Sequence, residues 1–195
     1  MKISKNTLIA FALLIVVAAL YRLIPVRPAG FAPQMALALF GGAIIKDKKL
    51  AFALPLISLF ISDLLFQVLY MSGLTPIQGF YDGQFFVYGT FMLITVFGFL
   101  LKKVNLTNTT IFSISGSLIF FVVSNFLVWI GGGGFNRPKT FDGLMMCYAD
   151  ALAFYRDGGL VNGFAGNFII GELFFTLILF GAYYLLHRPA EIARA

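Results

Sequence analysis

The sequence predicts an all-α membrane protein of six transmembrane helices in one domain, residues 1–195, with an extra amphipathic helix in the last external loop. Three observations carry this expectation. Only 11% of the residues are charged and 60% are apolar, where a soluble domain carries roughly a quarter charged residues on its surface. The mean hydropathy is +0.93. The apolar residues gather in runs approaching the ~20 residues of a spanning helix, and the basic residues sit in the short connections between them.

Spans are expected over residues 7–24, 31–45, 50–70, 85–101, 110–130 and 164–186. The first follows Lys2 and Lys5, as a signal peptide would. No small-x-small cleavage site precedes a polar start, however, and Ala18-Ala19-Leu20-Tyr21-Arg22 is a poor candidate, so the helix is read as retained. The second run is short and begins beside Pro33, which predicts a tilted, broken or buried helix rather than an ordinary lipid-facing one. Its Ala32-x3-Ala36 and Ala38-x3-Gly42 spacings read as helix-packing surfaces, as does the Ser113, Ser117, Ser124 stripe of the fifth run.

Six spans place both termini on one side. That side holds Lys2, Lys5, Lys46, Lys48, Lys49, Lys102, Lys103, Arg188 and Arg194, and the other holds Arg22, Arg27, Arg137, Lys139 and Arg156. Nine basic residues against five assign the termini to the cytoplasm. A net charge of +6 raises nucleic acid as a partner. No basic cluster with interleaved aromatics is present, so the expected surroundings are the lipid bilayer and no nucleic acid.

The connection 131–163 is unlike the others. It opens on Gly131 to Gly134, a turning joint, and continues as Phe135-Asn136-Arg137-Pro138-Lys139-Thr140. Residues 140–156 read as a helix with Thr140 as N-cap, and Leu144, Tyr148, Leu152 and Tyr155 form one stripe at helical spacing. Asp142, Asp150, Arg156 and Asp157 make it too polar to span. It is expected either to pack on the mouth of the bundle for stability or to close over a cavity as a lid, ending at Asp157-Gly158-Gly159.

Asp63 and Glu172 are the acidic residues deep within expected spans. A charge at that depth costs at least ~2.5 kcal/mol and therefore faces a cavity or a partner. Counted along their helices, Asp63, Glu172 and Asn125 all lie roughly 20 Å from the cytoplasmic start, in the outer third. Gln67 falls one turn outward from Asp63 and Trp129 one turn outward from Asn125, while Asn167 lies five residues before Glu172. Asn136, Arg137 and Tyr148 are placed to close from above, and Trp129 and Tyr148 to stack on a planar ligand. The alternative is structural: Asp63 or Glu172 pairs with Arg137, Lys139 or Arg156 to lock the outer loops, and Asn125 bridges two helices.

No cofactor is implied, since no Walker lysine motif, GxGxxG, HExxH or CxxC is present. Cys147 is the single cysteine and excludes an intramolecular disulfide framework. The lone histidine, His187, belongs to the opposite end of the bundle from Cys147, which excludes a Cys–His pair, so enzyme chemistry is not expected. Cys147 is read as a buried apolar thiol rather than a metal ligand.

Phe31-Ala32-Pro33 with Ala36-Leu37-Ala38-Leu39-Phe40-Gly41-Gly42-Ala43 resembles a family of uncharacterised bacterial integral membrane proteins. So do Ser62-Asp63, Pro138-x-Thr140-x2-Gly143-Leu144-x2-Cys147-Tyr148 and Asn167-x3-Gly171-Glu172-Leu173. In size and span count the family is similar to the S-components, the substrate-binding subunits of energy-coupling-factor (ECF) vitamin transporters. The resemblance implies an S-component-like bundle in the bacterial inner membrane. It would capture a vitamin- or cofactor-precursor-like small molecule near the outer face and dock on a transmembrane scaffold driven by two ATPases. The Ala-x3-Ala docking surface common on the first helix of S-components is missing, as Ala10, Ala12, Ala18 and Ala19 lack that spacing.

The leading expectation is a small-molecule uptake protein whose site comprises Asp63, Gln67, Asn125, Trp129, Asn136, Arg137, Tyr148, Asn167 and Glu172. The rivals are an autonomous ion- or proton-coupled carrier using Asp63 or Glu172, and a non-transporting membrane scaffold.

Overall fold

A computed structural model describes residues 5–28, 30–131, 136–156 and 166–186. Among them it contains seven helices: α1 Lys5–Tyr21, α2 Gln34–Ile44, α3 Lys48–Met71, α4 Gln84–Gly98, α5 Leu106–Gly131, α6 Phe141–Arg156 and α7 Gly166–Leu186. The three longest apolar ones, Lys48–Met71, Leu106–Gly131 and Asn167–Leu186, have the length and composition to cross a membrane. Their outer faces are apolar, with Phe60, Leu64 and Val68 on α3, Ile111, Leu118 and Val122 on α5, and Leu177 and Ile178 on α7 all exposed. A belt of that kind is what lipid covers.

The first, second and fourth apolar runs form shorter helices than a full span, and the cause of each stop is local. α1 ends at Tyr21 because Pro25 and Pro28 follow, and the chain after it is held by short turns, Leu23 N–H to Leu20 O, Arg27 N–H to Ile24 O and Phe31 N–H to Pro28 O. α4 tightens after Gly98 into turns in which Phe99, Leu100 and Leu101 donate to the carbonyls three residues back. α2 is confined between Pro33 and the Asp47 cap of α3, whose carboxylate accepts from the N–H groups of Lys49 (2.9 Å) and Leu50 (3.3 Å).

At 11 residues, α2 is about 16 Å long against a hydrocarbon core of about 30 Å. It cannot be an ordinary span. Eight of those residues are buried, from Gln34 to Gly42, and the helix packs against α3, α4, α5 and α7. It is the axis of the bundle. Its small residues make this burial possible. A methyl on Gly42 would strike the Thr95 carbonyl and come 2.9 Å from Gly98 Cα, and one on Gly98 would come 2.6 Å from the Leu39 carbonyl. On the other side, Pro55 leaves the Ala51 carbonyl without its helical donor, and Gly41 packs at that carbonyl, where a Cβ would lie 2.7 Å away.

The core around α2 consists of Met35, Leu39, Leu59, Phe91, Ile94, Phe168 and Phe180, with a second cluster of Ile15, Ala18, Leu37 and Leu54 under α1. Ser113 and Ser117 are buried within α5 and Ala36, Ala38 and Gly42 within α2, as packing surfaces would be, while Ser124 and Ala32 at the ends of the stripes are only half-buried and Ala32 lines the cavity described below. α6 begins where expected: the Thr140 hydroxyl accepts from the Gly143 N–H at 3.2 Å. Leu152, expected on its inward stripe, is exposed, and the inward face is carried by Gly143 and Cys147. Gly132 to Gly134, Phe135, residues 157–165 with Asp157-Gly158-Gly159, and His187 lie outside the described residues, as do Lys2, Arg188, Arg194 and the side chains of Tyr155 and Arg156.

Candidate functional site

The nine residues singled out from the sequence separate into three groups. The first is built around Asp63, which is 3% exposed. Its Oδ1 accepts from Arg22 Nη1 at 2.6 Å, and its Oδ2 accepts from Gln84 Nε2 at 2.5 Å and from the Tyr88 hydroxyl at 2.7 Å. Arg22 also donates to the Ser62 hydroxyl and lies over the Phe66 ring. The partner of Asp63 is therefore Arg22, on the segment after α1, and not the expected Arg137, Lys139 or Arg156. Gln67, one turn along, accepts from the backbone N–H groups of Gly79 (3.2 Å) and Phe80 (3.3 Å). A side chain on Gly79 would strike the Asp63 carbonyl, so the α3–α4 connection lies directly on α3 here. Asp63 and Gln67 thus tie four segments of one end of the bundle together.

The second group fastens α6. Trp129 Nε1 donates to the Pro138 carbonyl at 2.9 Å, and the Lys139 ammonium sits 5.3 Å from the centre of its ring. Arg137 makes a two-pronged pair with Asp150, both contacts 2.9 Å, which raises the guanidinium pKa further above its ordinary value. Asn136 turns the chain into this pair at a φ of 46°. The Tyr148 hydroxyl donates to the Val122 carbonyl at 3.0 Å, and Asn125 bonds back to Phe121 O of its own helix at 2.7 Å instead of bridging to another. Trp129 and Tyr148 are thus engaged with the protein itself. Cys147 is buried with its Sγ directed at the Asn125 carbonyl, 3.6 Å away, and burial pushes its thiol pKa up, so it carries little thiolate at neutral pH.

The third group lies between α5 and α7. Asn167 and Glu172 are each 1% exposed. Glu172 Oε1 accepts from the Thr176 hydroxyl at 3.1 Å, which in turn accepts from the Ser113 hydroxyl at 3.3 Å, while Glu172 Oε2 has no hydrogen-bond partner among the described residues. Among the described residues, no group of His, Cys, Asp and Glu could hold a metal ion.

A cavity of about 220 Å³ opens in the space between these groups. Residues 22–35 contribute Arg22, Arg27, Gly30, Ala32, Gln34 and Met35 to its lining, and Leu59, Val87, Phe91, Phe120 and Phe168 complete it from α3, α4, α5 and α7. None of the nine residues chosen from the sequence is in that lining. The segment holds its shape through its prolines and through Gly30, whose φ of 77° suits glycine alone. Arg27 Nη1 donates to the carbonyls of Phe31 (3.2 Å) and Pro28 (3.4 Å), and its buried Nε has no partner among the described residues. Burial first, and the nearby Arg22 charge second, lower the Arg27 pKa from its ordinary value. Gln34 Nε2 donates to the Ala18 carbonyl at 2.9 Å, and its buried Oε1 has no donor among the described residues.

The sequence did contain a signal for this lining. Gln34 is the one polar side chain of α2, and Arg22 and Arg27 flank a proline-rich turn at the end of an apolar helix. By sequence alone the two arginines count only as loop charges, and Gln34 does not stand out.

Residues 2–193 match the model of a family of unknown function, DUF6580. The chain belongs to that family. No curated protein and no solved structure matches it. The match agrees with the expected membership of an uncharacterised family, and it lends nothing to the further likeness to ECF S-components.

Proposed function

We propose that this DUF6580 protein spans the bacterial inner membrane six times with both termini in the cytoplasm, and binds a small molecule at its outer end for uptake. The cavity is the observation that carries the reading. Its volume of about 220 Å³ lies between the ~150 Å³ that holds benzene in an engineered core and the roughly 300–1,000 Å³ of drug-sized ligand sites. Apolar walls with a few convergent polar groups are the usual make-up of such sites. The excess of basic residues on the Lys46–Lys49 and Lys102–Lys103 side supports cytoplasmic termini. The short helices α1, α2 and α4 cross as parts of the bundle, with α2 covered by protein on all sides. An S-component-like division of labour, in which this subunit binds and another supplies ATP-driven energy, agrees with the absence of any nucleotide motif in the sequence.

A proton-coupled carrier is the second reading, favoured by the unpartnered Oε2 of the buried Glu172. Asp63 contributes less to it, because both its oxygens already accept hydrogen bonds, from Arg22, Gln84 and Tyr88.

Native mass spectrometry of the purified protein tests the binding reading. A co-purifying small-molecule mass is expected on the wild type and is expected to vanish in Ala32→Trp, which puts an indole in place of a methyl in the cavity lining. The same adduct on both proteins places the molecule elsewhere and refutes the assignment.

A further inference from the structure

Resting on that binding reading, we infer that the cavity selects a small soluble anion, a carboxylate on an apolar body about one ring in size, with Arg27 as its counter-charge and Gln34 as acceptor of a ligand hydroxyl or N–H.

The argument starts from the two arginines. Arg22 is neutralised at 2.6 Å by Asp63. Arg27 has no carboxylate partner among the described residues, and its Nη1 donates to two neutral carbonyls of its own segment. A guanidinium with a buried, unpaired Nε beside apolar walls is a cost to the empty protein. A ligand anion removes that cost, since a charged acceptor forms the stronger class of hydrogen bond in such surroundings. A cationic ligand would meet Arg27 with nothing to offset the repulsion.

Gln34 adds a second requirement. Its amide orientation is fixed, because only Nε2 can donate to the Ala18 carbonyl. The remaining Oε1 is an acceptor with no donor, so the ligand supplies one. Met35, Leu59, Phe91 and Phe168 leave the rest of the volume apolar. The chemistry described is that of a compact hydroxy- or amino-substituted monocarboxylate. An anionic lipid headgroup shares the charge, and the test separates the two.

The protein in phosphatidylcholine nanodiscs is titrated with 4-hydroxybenzoate, 4-hydroxybenzyl alcohol and 4-hydroxybenzylamine, and binding is read by equilibrium dialysis. The benzoate is expected to bind roughly tenfold or more tightly than the alcohol, with the amine weakest. Arg27→Gln is expected to remove the preference for the benzoate, Arg27→Lys to keep part of it, and Ala32→Trp to abolish binding of all three probes. Equal binding of benzoate and alcohol, or preference for the amine, with both lost in Ala32→Trp, overturns the anion assignment and leaves the binding reading intact. Binding of none of the probes overturns the assignment of a ring-sized anion, and binding unchanged in Ala32→Trp overturns the cavity as the binding site and with it the binding reading. Displacement of the benzoate by phosphatidylglycerol in the disc assigns the site to a lipid headgroup and overturns the soluble-anion assignment.

Discussion

Replacing Asp63 by alanine is expected to destabilise the folded protein by about 3 kcal/mol, the lower end of the cost of breaking a buried ion pair. The lower end applies because the Arg22 side chain retains 21% exposure, whereas that of Asp63 has 5%. The loss is not confined to one contact. The variant strands a guanidinium, the Gln84 amide and the Tyr88 hydroxyl together, each of which donates to this carboxylate. Thermal unfolding in detergent, followed by size-exclusion chromatography, measures it. Arg22→Gln combined with Asp63→Ala is expected to cost less than the sum of the two single variants, with a coupling of roughly 0.5–3 kcal/mol. An Asp63→Ala protein as stable as the wild type would remove Asp63 from its place as the knot of this end of the bundle.

The second large effect is expected at the α2–α4 crossing. Gly42→Ala adds a methyl where the Thr95 carbonyl already stands, with Gly98 Cα 2.9 Å from its position. Both obstacles are backbone, so neither can rotate away, and the axial helix must shift. Overpacking of that kind costs about 1–3 kcal/mol, and the backbone obstacles put this case in the upper part of that range. Gly89→Ala on α4 is the control, since nothing lies within 4 Å of its added methyl. It is expected to be neutral or slightly stabilising, as alanine favours helix over glycine. Equal unfolding temperatures for the two variants would contradict the close crossing.

These two sites also mark how far the sequence could be read. The apolar runs revealed every long helix, and the shortness of the second run marked it as tilted, broken or buried rather than lipid-facing, because both properties are local; that it is the buried axis came from the packing. The place of Asp63 within α3 and its burial follow from the apolar run around it, since helical rise converts residue number into position along the helix. Its partner does not. Arg22 lies 41 positions away on a turn, and which loop folds back on which helix depends on how the bundle packs. Counting pointed upward to Arg137, which the structure instead pairs with Asp150 inside its own segment.

The cavity was illegible for a related reason. Its walls come from five separate stretches, and most of its lining is ordinary core: Met35, Leu59, Phe91, Phe168. Trp129, Tyr148 and Asn125 stood out by residue type, yet each satisfies a neighbouring backbone group near the α5–α6 contact. Gln34 and Arg27 were conspicuous only in hindsight of α2 being central, where a polar side chain lacks water and must find a partner.

Substituted-cysteine labelling in intact cells tests the central claim, an externally open pocket inside the bundle, most directly. In a Cys147→Ala background, a small membrane-impermeant anionic thiosulfonate is added outside to Val87→Cys in the cavity wall. Val26→Cys, at a position 90% exposed on the 22–33 segment, and Leu177→Cys, on the lipid-facing surface of α7, serve as controls. The account predicts that Val26→Cys and Val87→Cys react, that Leu177→Cys does not, and that adding Ala32→Trp protects Val87→Cys. An unreactive Val87→Cys beside a reactive Val26→Cys would contradict the pocket, and an unreactive Val26→Cys would contradict the outward orientation of this end.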